Sequence, residues 1–336
     1  MTNKEYGVIG LGSAIVDIIS YKKQEFLDKN NLPKGAMKLV DAKTAKILYE
    51  QLGVATECSG GSSANTIAGF SLLGGKSAFI GKTKNDYLGK IFKKEIEKAG
   101  AKLIAEPSEK GASTSKCIII VTEEELEGNR KRVERTMATY LDFDVLISEQ
   151  DIKEEDIKNS EILFFEGYLF DNPDAKAAVK KAIKFAKIHN TKVAFTLSDP
   201  FCVQRHKNDF IKLCEQDADI IFANENESLA LYEGADLREV LHKFIALNAI
   251  SCLTKGDQGS YVIESGKIYD IEAVKVDEVY DVTGAGDMYA AGFLYGLTQN
   301  YNVEKCGHIA SLCAAEVIKY LGARPVTDMK KLIATI

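Results

Sequence analysis

EILFFEGYLFDNPDAKAAVKKAIKFAKIHNTKVAFTL, residues 161–197, holds the pattern on which the fold turns. Glu161-Ile-Leu-Phe-Phe165 is a short apolar run of the kind that forms a buried strand. The chain continues through Asn172-Pro173 into a segment where Ala175, Ala178, Val179, Ala182, Ile183 and Ala186 recur at i, i+3, i+4, i+7, i+8 spacing, which predicts an amphipathic helix. Lys192-Val-Ala-Phe-Thr-Leu197 is a second strand. Beyond a polar helical segment, Asp219-Ile-Ile-Phe-Ala223 is a third. Strands alternating with helices in this way build an α/β sheet. Each strand ends in polar residues: Glu166-Gly167, Ser198-Asp199-Pro200 and Asn224-Glu225-Asn226-Glu227. In open α/β sheets ligands bind beyond the carboxyl ends of the strands, so these three ends are expected to face one cleft.

The alternation extends outward from about residue 60 to the C-terminus, and two segments break it. Residues 15–42 and 112–140 read as strands and turns without intervening helices. Lys116-Cys-Ile-Ile-Ile-Val121 and Arg132-Val-Glu-Arg-Thr-Met137 flank a charged turn from Thr122 to Lys131, whose Glu123-Glu124-Glu125 and Arg130-Lys131-Arg132 read as a solvated hairpin tip. The division expected is a small β lid (15–42 and 112–140) on a large α/β domain (1–14, 43–111 and 141–336). Tyr6 to Ile19 is apolar-rich but carries Asp17, three glycines and no cleavage pattern, so it predicts a strand and turn, not a signal peptide. No stretch reaches the roughly 18 apolar residues of a membrane span.

Composition narrows the function classes. With 43 basic and 49 acidic residues the net charge is −6, and no basic block matches a nucleic-acid footprint. The seven cysteines form no CxxC pair and sit mostly in apolar runs, as expected of small core residues in a reducing cytoplasm. Zinc and disulfides are not expected.

Three glycine-rich segments invite nucleotide-binding readings. GFSLLGGKS (69–77) fails as a P-loop, because Phe70 stands where the first glycine is required. Gly10-Leu-Gly12-Ser-Ala-Ile15 lacks the third glycine of a dinucleotide fingerprint, and the β-branched run Ile15 to Ile19 makes a poor helix. The third segment, DVTGAGD (281–287), opens a helix. Gly284 and Gly286 remove Cβ atoms where another group must approach. The first-turn N–H groups and the helix dipole then suit an anion such as phosphate. Asp287 in that turn can accept the proton of a hydroxyl attacking a phosphoryl group. The plainer alternative is an acidic residue stabilising its own helix N-terminus.

DVTGAGD resembles the C-terminal signature of the ribokinase-like family, the phosphofructokinase-B carbohydrate kinases. CSGGSSANTIAGFSLLGGKSAFIGKTKNDYLG (58–89) resembles its N-terminal signature, and Asn224 with Glu227 its NxxE. The resemblance spans nearly the whole chain. It implies a three-layer α/β/α domain with a mainly parallel central sheet and a small β-sheet lid, acting as an ATP-dependent kinase. It also implies Asp287 as the general base, with Gly284, Ala285 and Gly286 as the anion hole. By the same resemblance Asp17, Gly61 and Asn65 bind the acceptor's hydroxyls, Asn224 and Glu227 organise Mg²⁺ through water, and Thr254, Lys255, Gly256 and Gly259 form the ATP-side loop. Asp281 and Thr283 resemble a monovalent-cation site, which would take K⁺. Plainer roles exist for several of these: a turn residue for Asp17, a helix cap for Asn65, a hairpin turn for 254–259.

Arg135-Thr-Met-Ala-Thr139, Phe165 to Phe170 and Ser198 to His206 look most like the adenosine kinase branch. Arg135 would then be a lid arginine that compensates the transferring phosphate. A lid salt bridge with Glu134 or Glu124 is its alternative. Tyr168, with Leu169, Phe170 and Phe201, would supply an apolar slot for a purine, or else core. The expectation is phosphorylation of adenosine at its 5′-hydroxyl. A ribose or fructose kinase of the same family is the alternative, and a catalytically silent ligand-binding protein is the reading from another class. The partners expected are the small-molecule acceptor and ATP, with no nucleic acid and no membrane, in a monomer or homodimer.

Overall fold

The computed structural model describes residues 4–126, 130–234 and 236–334. Its strands in chain order are β1 (Tyr6–Leu11), β2 (Ile15–Tyr21), β3 (Met37–Leu39), β4 (Thr56–Gly60), β5 (Ser77–Ile80), β6 (Ala101–Leu103), β7 (Ser115–Leu126), β8 (Arg130–Tyr140), β9 (Ser160–Glu166), β10 (Lys192–Thr196), β11 (Ile220–Asn224), β12 (Ile250–Thr254), β13 (Ser260–Glu264) and β14 (Lys267–Ile271). Nine of them form one sheet in the order β14-β13-β12-β11-β10-β9-β1-β5-β6. It is parallel from β6 to β12, with an antiparallel pair, β13 and β14, at one edge.

Both faces of this sheet are buried, which is why its strands read as continuous apolar runs. On one face Leu163, Phe165, Val193, Phe195 and Ile221 pack against Ala175, Val179 and Ile183 of the helix Pro173–Ile188 and Phe210 of the helix Pro200–Gln216. On the other face Ile162, Phe164, Ala194 and Phe222 meet Ile67 and Phe70 of the helix Ser62–Leu72 and Phe293 of the helix Ala285–Thr298. Asn172 caps the first of these helices through Asp174 N and Ala175 N, with Pro173 in its first turn. The expected three-layer architecture is what the chain forms.

The smaller sheet has the order β3-β8-β7-β2-β4. Two features differ from expectation. β4 belongs to this lid sheet, paired antiparallel to β2, although 43–111 was expected to lie in the large domain. Residues 15–42 also contain a helix, Gln24–Lys29. That helix and Ala42–Gln51 cover one face of the lid, where Leu27, Leu48 and Leu52 pack on Val16, Ile18, Ile118, Ile120 and Ala138. The opposite face looks toward the large domain. Residues 127–129 at the charged tip, and the side chains of 124–133, including Glu124 as a partner for Arg135, lie outside the described residues. No helix among the described residues is long and apolar enough to cross a membrane.

Candidate active site

The helix Ala285–Thr298 begins at Gly284, whose φ of 76° is left-handed. A Cβ at Gly284 would stand 2.6 Å from the Ala323 Cβ, so both backbone and packing demand glycine here. At Gly286 a Cβ would meet nothing within 4 Å, and the open space lies over the first-turn N–H groups. That space belongs to a cavity of about 260 Å³. Gly284, Gly286 and Asp287 line it from the helix, and Thr196, Ser198, Asn224 and Thr254 from the carboxyl ends of β10, β11 and β12. The polar strand ends following β10 and β11 do converge. Ser198 holds φ 76°, rare for a non-glycine residue, with its Oγ accepting from Gly167 N at 2.8 Å.

Asp287 is gripped at both oxygens. Ser62 Oγ donates to Oδ1 at 2.7 Å and Asn65 Nδ2 to Oδ2 at 2.9 Å. Burial pushes its carboxyl above the ordinary aspartate range, while these two donors and the Arg324 charge pull the other way. Asn65 therefore does not cap its helix, since Gly61 holds the N-cap position. Its Oδ1 is buried with no partner. Gly61 has φ 94°, and a Cβ there would lie 2.4 Å from Ser13 O. Asp17 lies within β2, not in a turn, with its carboxylate against Gly60. Burial pushes it up to about 7, against the opposing charges of Arg324 and Arg135.

Two residues of this cluster were not singled out from the sequence. Ser62 stands one helical turn before Asn65, and the i, i+3 spacing within 58–89 is the signal that points to it. Arg324 had no such signal. Its guanidinium donates to Ser59 O and Oγ at 3.1 and 3.0 Å, Ala64 O at 3.1 Å and Asn65 O at 3.2 Å. It ties the end of β4 to the first turn of the next helix and places a positive charge near both Asp17 and Asp287.

Asn224 and Glu227 form a capping box: Asn224 Oδ1 accepts from Glu227 N at 2.9 Å, and Glu227 Oε2 from Asn224 N at 3.0 Å. Both line the cavity, and burial raises Glu227 to about 7. Among the described residues no cluster of three or more His, Cys, Asp or Glu side chains is arranged to hold a metal. The donor set fits an ion held largely by phosphate oxygens and water, as Mg²⁺ prefers. Thr254 lines the cavity too. Gly256 and Gly259 have φ 62° and 86° and turn the chain into β13, with Lys255 N donating to Gly259 O at 2.7 Å. The Lys255 ammonium points away, onto Asp270 at 2.9 Å and the Tyr261 ring at 3.6 Å.

The structure brings Arg135, Asp281 and Thr283 into one cluster. Arg135 pairs with the Asp281 carboxylate and bonds Thr283 Oγ1, so an acidic partner for it lies on the loop before the helix Ala285–Thr298. Asp281 also accepts from Thr283 N at 2.9 Å and Gly322 N at 2.6 Å. The oxygens expected to hold a monovalent cation thus face a guanidinium. The purine slot is not assembled as expected. Leu169 and Phe170 are buried in the core, Phe201 is 71% exposed, and Tyr168 stands beside Asp199, apart from the residues lining the cavity. The turn Gly167–Asp171 twists its apolar pair inward under the helix Pro173–Ile188.

A family profile described as pfkB family carbohydrate kinase matches residues 51–329. A crystal structure titled "probable sugar kinase protein" from Rhizobium etli is similar at 37% identity, covering 99% of this chain and 98% of that one, with TM-score 0.88. The adenosine kinase from Sinorhizobium meliloti is likewise 37% identical, covering 98% of this chain and 99% of that one, with TM-score 0.88. A 5-dehydro-2-deoxygluconokinase from Bacillus subtilis is 27% identical over 77% of this chain and 80% of its own length.

Proposed function

The chain belongs to the pfkB family of carbohydrate kinases, phosphotransferases that act on a hydroxyl group with ATP as co-substrate, and from that premise we propose that its acceptor is the 5′-hydroxyl of adenosine, giving AMP. The observation that carries this reading is the lid face over Asp17. Directly paired residues of neighbouring strands share a face. Asp17 stands in a row with Cys58, Cys117, Thr139 and Leu39. The next row on that face is Thr56, Ile19, Ile119, Met137 and Met37, about 7 Å along the strands. Ile19 and Ile119 are buried in a cluster that Leu321 packs against, while Met137 is half-buried and Met37 exposed. A molecule whose hydroxyls meet Asp17 therefore has the accessible apolar side chains of Met137 and Met37 along the same face, which suits the flat base of a nucleoside. A free sugar leaves those two side chains uncovered.

In the proposed reaction the first-turn N–H groups from Gly284 to Gly286 stabilise the charge on the transferring phosphoryl group. The Asp287 carboxylate takes the proton of the acceptor hydroxyl as its oxygen bonds the γ-phosphorus, and the bond to the β-phosphate oxygen breaks to release ADP. Asp17 and the unpartnered Asn65 Oδ1 accept from acceptor hydroxyls, with Gly61 allowing close approach. Thr254 and the Gly256–Gly259 turn flank the nucleotide. When bound, Mg²⁺ offsets charge on the phosphates, with Asn224 and Glu227 reaching it through water.

The Bacillus relative's name suggests a second reading, a sugar-acid acceptor. Such a substrate needs a cation beside its carboxylate. The guanidiniums whose charges act on Asp17, Arg324 and Arg135, are engaged by Ser59, Ala64 and Asn65 and by Asp281 and Thr283. Steady-state kinetics with ATP on adenosine, inosine, ribose, fructose and 5-dehydro-2-deoxygluconate test the assignment. Adenosine is expected to give the highest kcat/KM. Preference for a free sugar or sugar acid retires the adenosine assignment and leaves the kinase assignment standing.

A further inference from the structure

Glu166 ends β9, and its side chain is 1% exposed. Its position in the topology is special. The chain runs from β1 outward to β5 and β6 on one side, then returns to begin β9 on the other side of β1. The carboxyl ends of β1 and β9 therefore flank the switch point of the sheet, where an open α/β fold leaves a crevice. Glu166 sits in that crevice, and both its oxygens are used. Oε1 accepts from Ser13 N at 2.8 Å, in the turn between β1 and β2, and Oε2 accepts from Ser63 N at 2.8 Å, in the first turn of the helix Ser62–Leu72. Gly12 clears the space: a Cβ there would lie 2.9 Å from Glu166 Oε2 and 2.6 Å from the Ser63 Cβ.

We infer that Glu166 is a positioning residue, whose carboxylate clasps the Gly12–Ser13 turn to the first turn of the helix Ser62–Leu72 and through Ser62 and Asn65 fixes the aim of Asp287. The clasp joins the two halves of the acceptor site. Ser13 leads into β2, which carries Asp17, and Ser13 O packs against Gly61. Ser62 and Asn65 flank Ser63 on the helix and hold the two oxygens of Asp287. Both clasp partners are N–H donors, so the site needs two acceptor oxygens at once. A glutamine offers one oxygen and turns its NH₂ against the other N–H, which then goes unpaired in a buried place. A carboxylate in this position is thus a demand of geometry, made although burial raises its pKa to about 7.

The inference rests on the kinase reading, and its test separates the two. Wild type, Glu166→Gln, Ser62→Ala and the double variant are compared with ATP and whichever of adenosine, ribose or fructose the wild type turns over fastest. A displacement of about 1 Å at a reacting group can cost about 10²-fold in rate, so Glu166→Gln is expected to lower kcat by about 10- to 100-fold while KM for ATP stays within about twofold. The double variant should lose little beyond the worse single, because both changes release the same carboxylate. Amide exchange at Ser13 and Ser63, read without any substrate, should quicken in Glu166→Gln. If that variant does not fold, Glu166→Asp, which keeps the charge but cannot span both donors, is read in the same way. A kcat within twofold of wild type, losses that multiply in the double variant, or unchanged exchange at both amides overturns the role. Failure of adenosine as acceptor alone overturns only the substrate assignment.

Discussion

The carboxylate at Asp287 has a raised pKa because it is buried, and it is held by two donors and one nearby cation. A general base works unprotonated, so kcat/KM should fall as pH drops through its pKa, on an acid limb above the usual aspartate range. Asp287→Asn should retain the fold and ATP binding and lose about 10²–10⁴-fold in kcat; near-normal turnover removes the mechanism. Arg324→Met removes a charge that lowers this pKa, so the acid limb should move to higher pH, checked by kcat/KM profiles on variants whose melting point is intact. Asp17→Ala and Asn65→Ala should part company. The first should raise acceptor KM, and the second should also lower kcat, because Asn65 grips Asp287 as well as leaving its Oδ1 free for the proposed acceptor. Asp287 and Asn65 were legible because each sits inside a local motif. Arg324 and Glu166 were not, since their roles come from partners more than a hundred residues away that only the folded chain assembles.

At the scale of elements, the sheet strands were readable because burial on both faces makes them apolar throughout. β4 was not, because Thr56-Glu-Cys-Ser-Gly60 is short and polar and earns its strand only by pairing with β2. The helix Gln24–Lys29 has six residues, too few for a periodic signal. The lid itself was legible, yet the destination of Arg135 was not. It crosses from β8 to Asp281 and Thr283 on the loop before the helix Ala285–Thr298. If this guanidinium acts on the phosphoryl group during transfer, Arg135→Ala should lower kcat far more than it raises acceptor KM, with Arg135→Lys restoring only part. Removing the guanidinium also frees the oxygens of Asp281 and Thr283, so K⁺ should stimulate Arg135→Ala more than wild type. Equal rates for wild type and Arg135→Ala retire the arginine role, and equal K⁺ responses retire the shared-oxygen role.

Over the whole molecule, the site concentrates acids that folding buries, and this sets how stability depends on pH. Asp17 is raised from 3.8 to about 7, and Glu166 and Glu227 from 4.5 to about 7, in each case chiefly by burial. Between those values the folded state holds protons that the unfolded state has released. Stability therefore rises as pH falls from above 7 toward the unfolded values, the reverse of a salt-bridged carboxylate. Asp142, Asp171 and Glu316 have lowered values from hydrogen bonds and ion pairs, and their contribution is lost only as pH falls through those lower values. The melting temperature of the ligand-free protein should thus climb from pH 8 to pH 6 and fall again in stronger acid. Asp17→Asn, which removes one of these raised groups, should flatten the climb. Calorimetric scans across pH 4–8.5 read both. A melting point that declines steadily from pH 8 to pH 6, or a slope that Asp17→Asn leaves unchanged, means that folding does not raise the pKa values of these acids. The cost they impose follows from burial itself, since each of these carboxylates is held out of water in the folded chain.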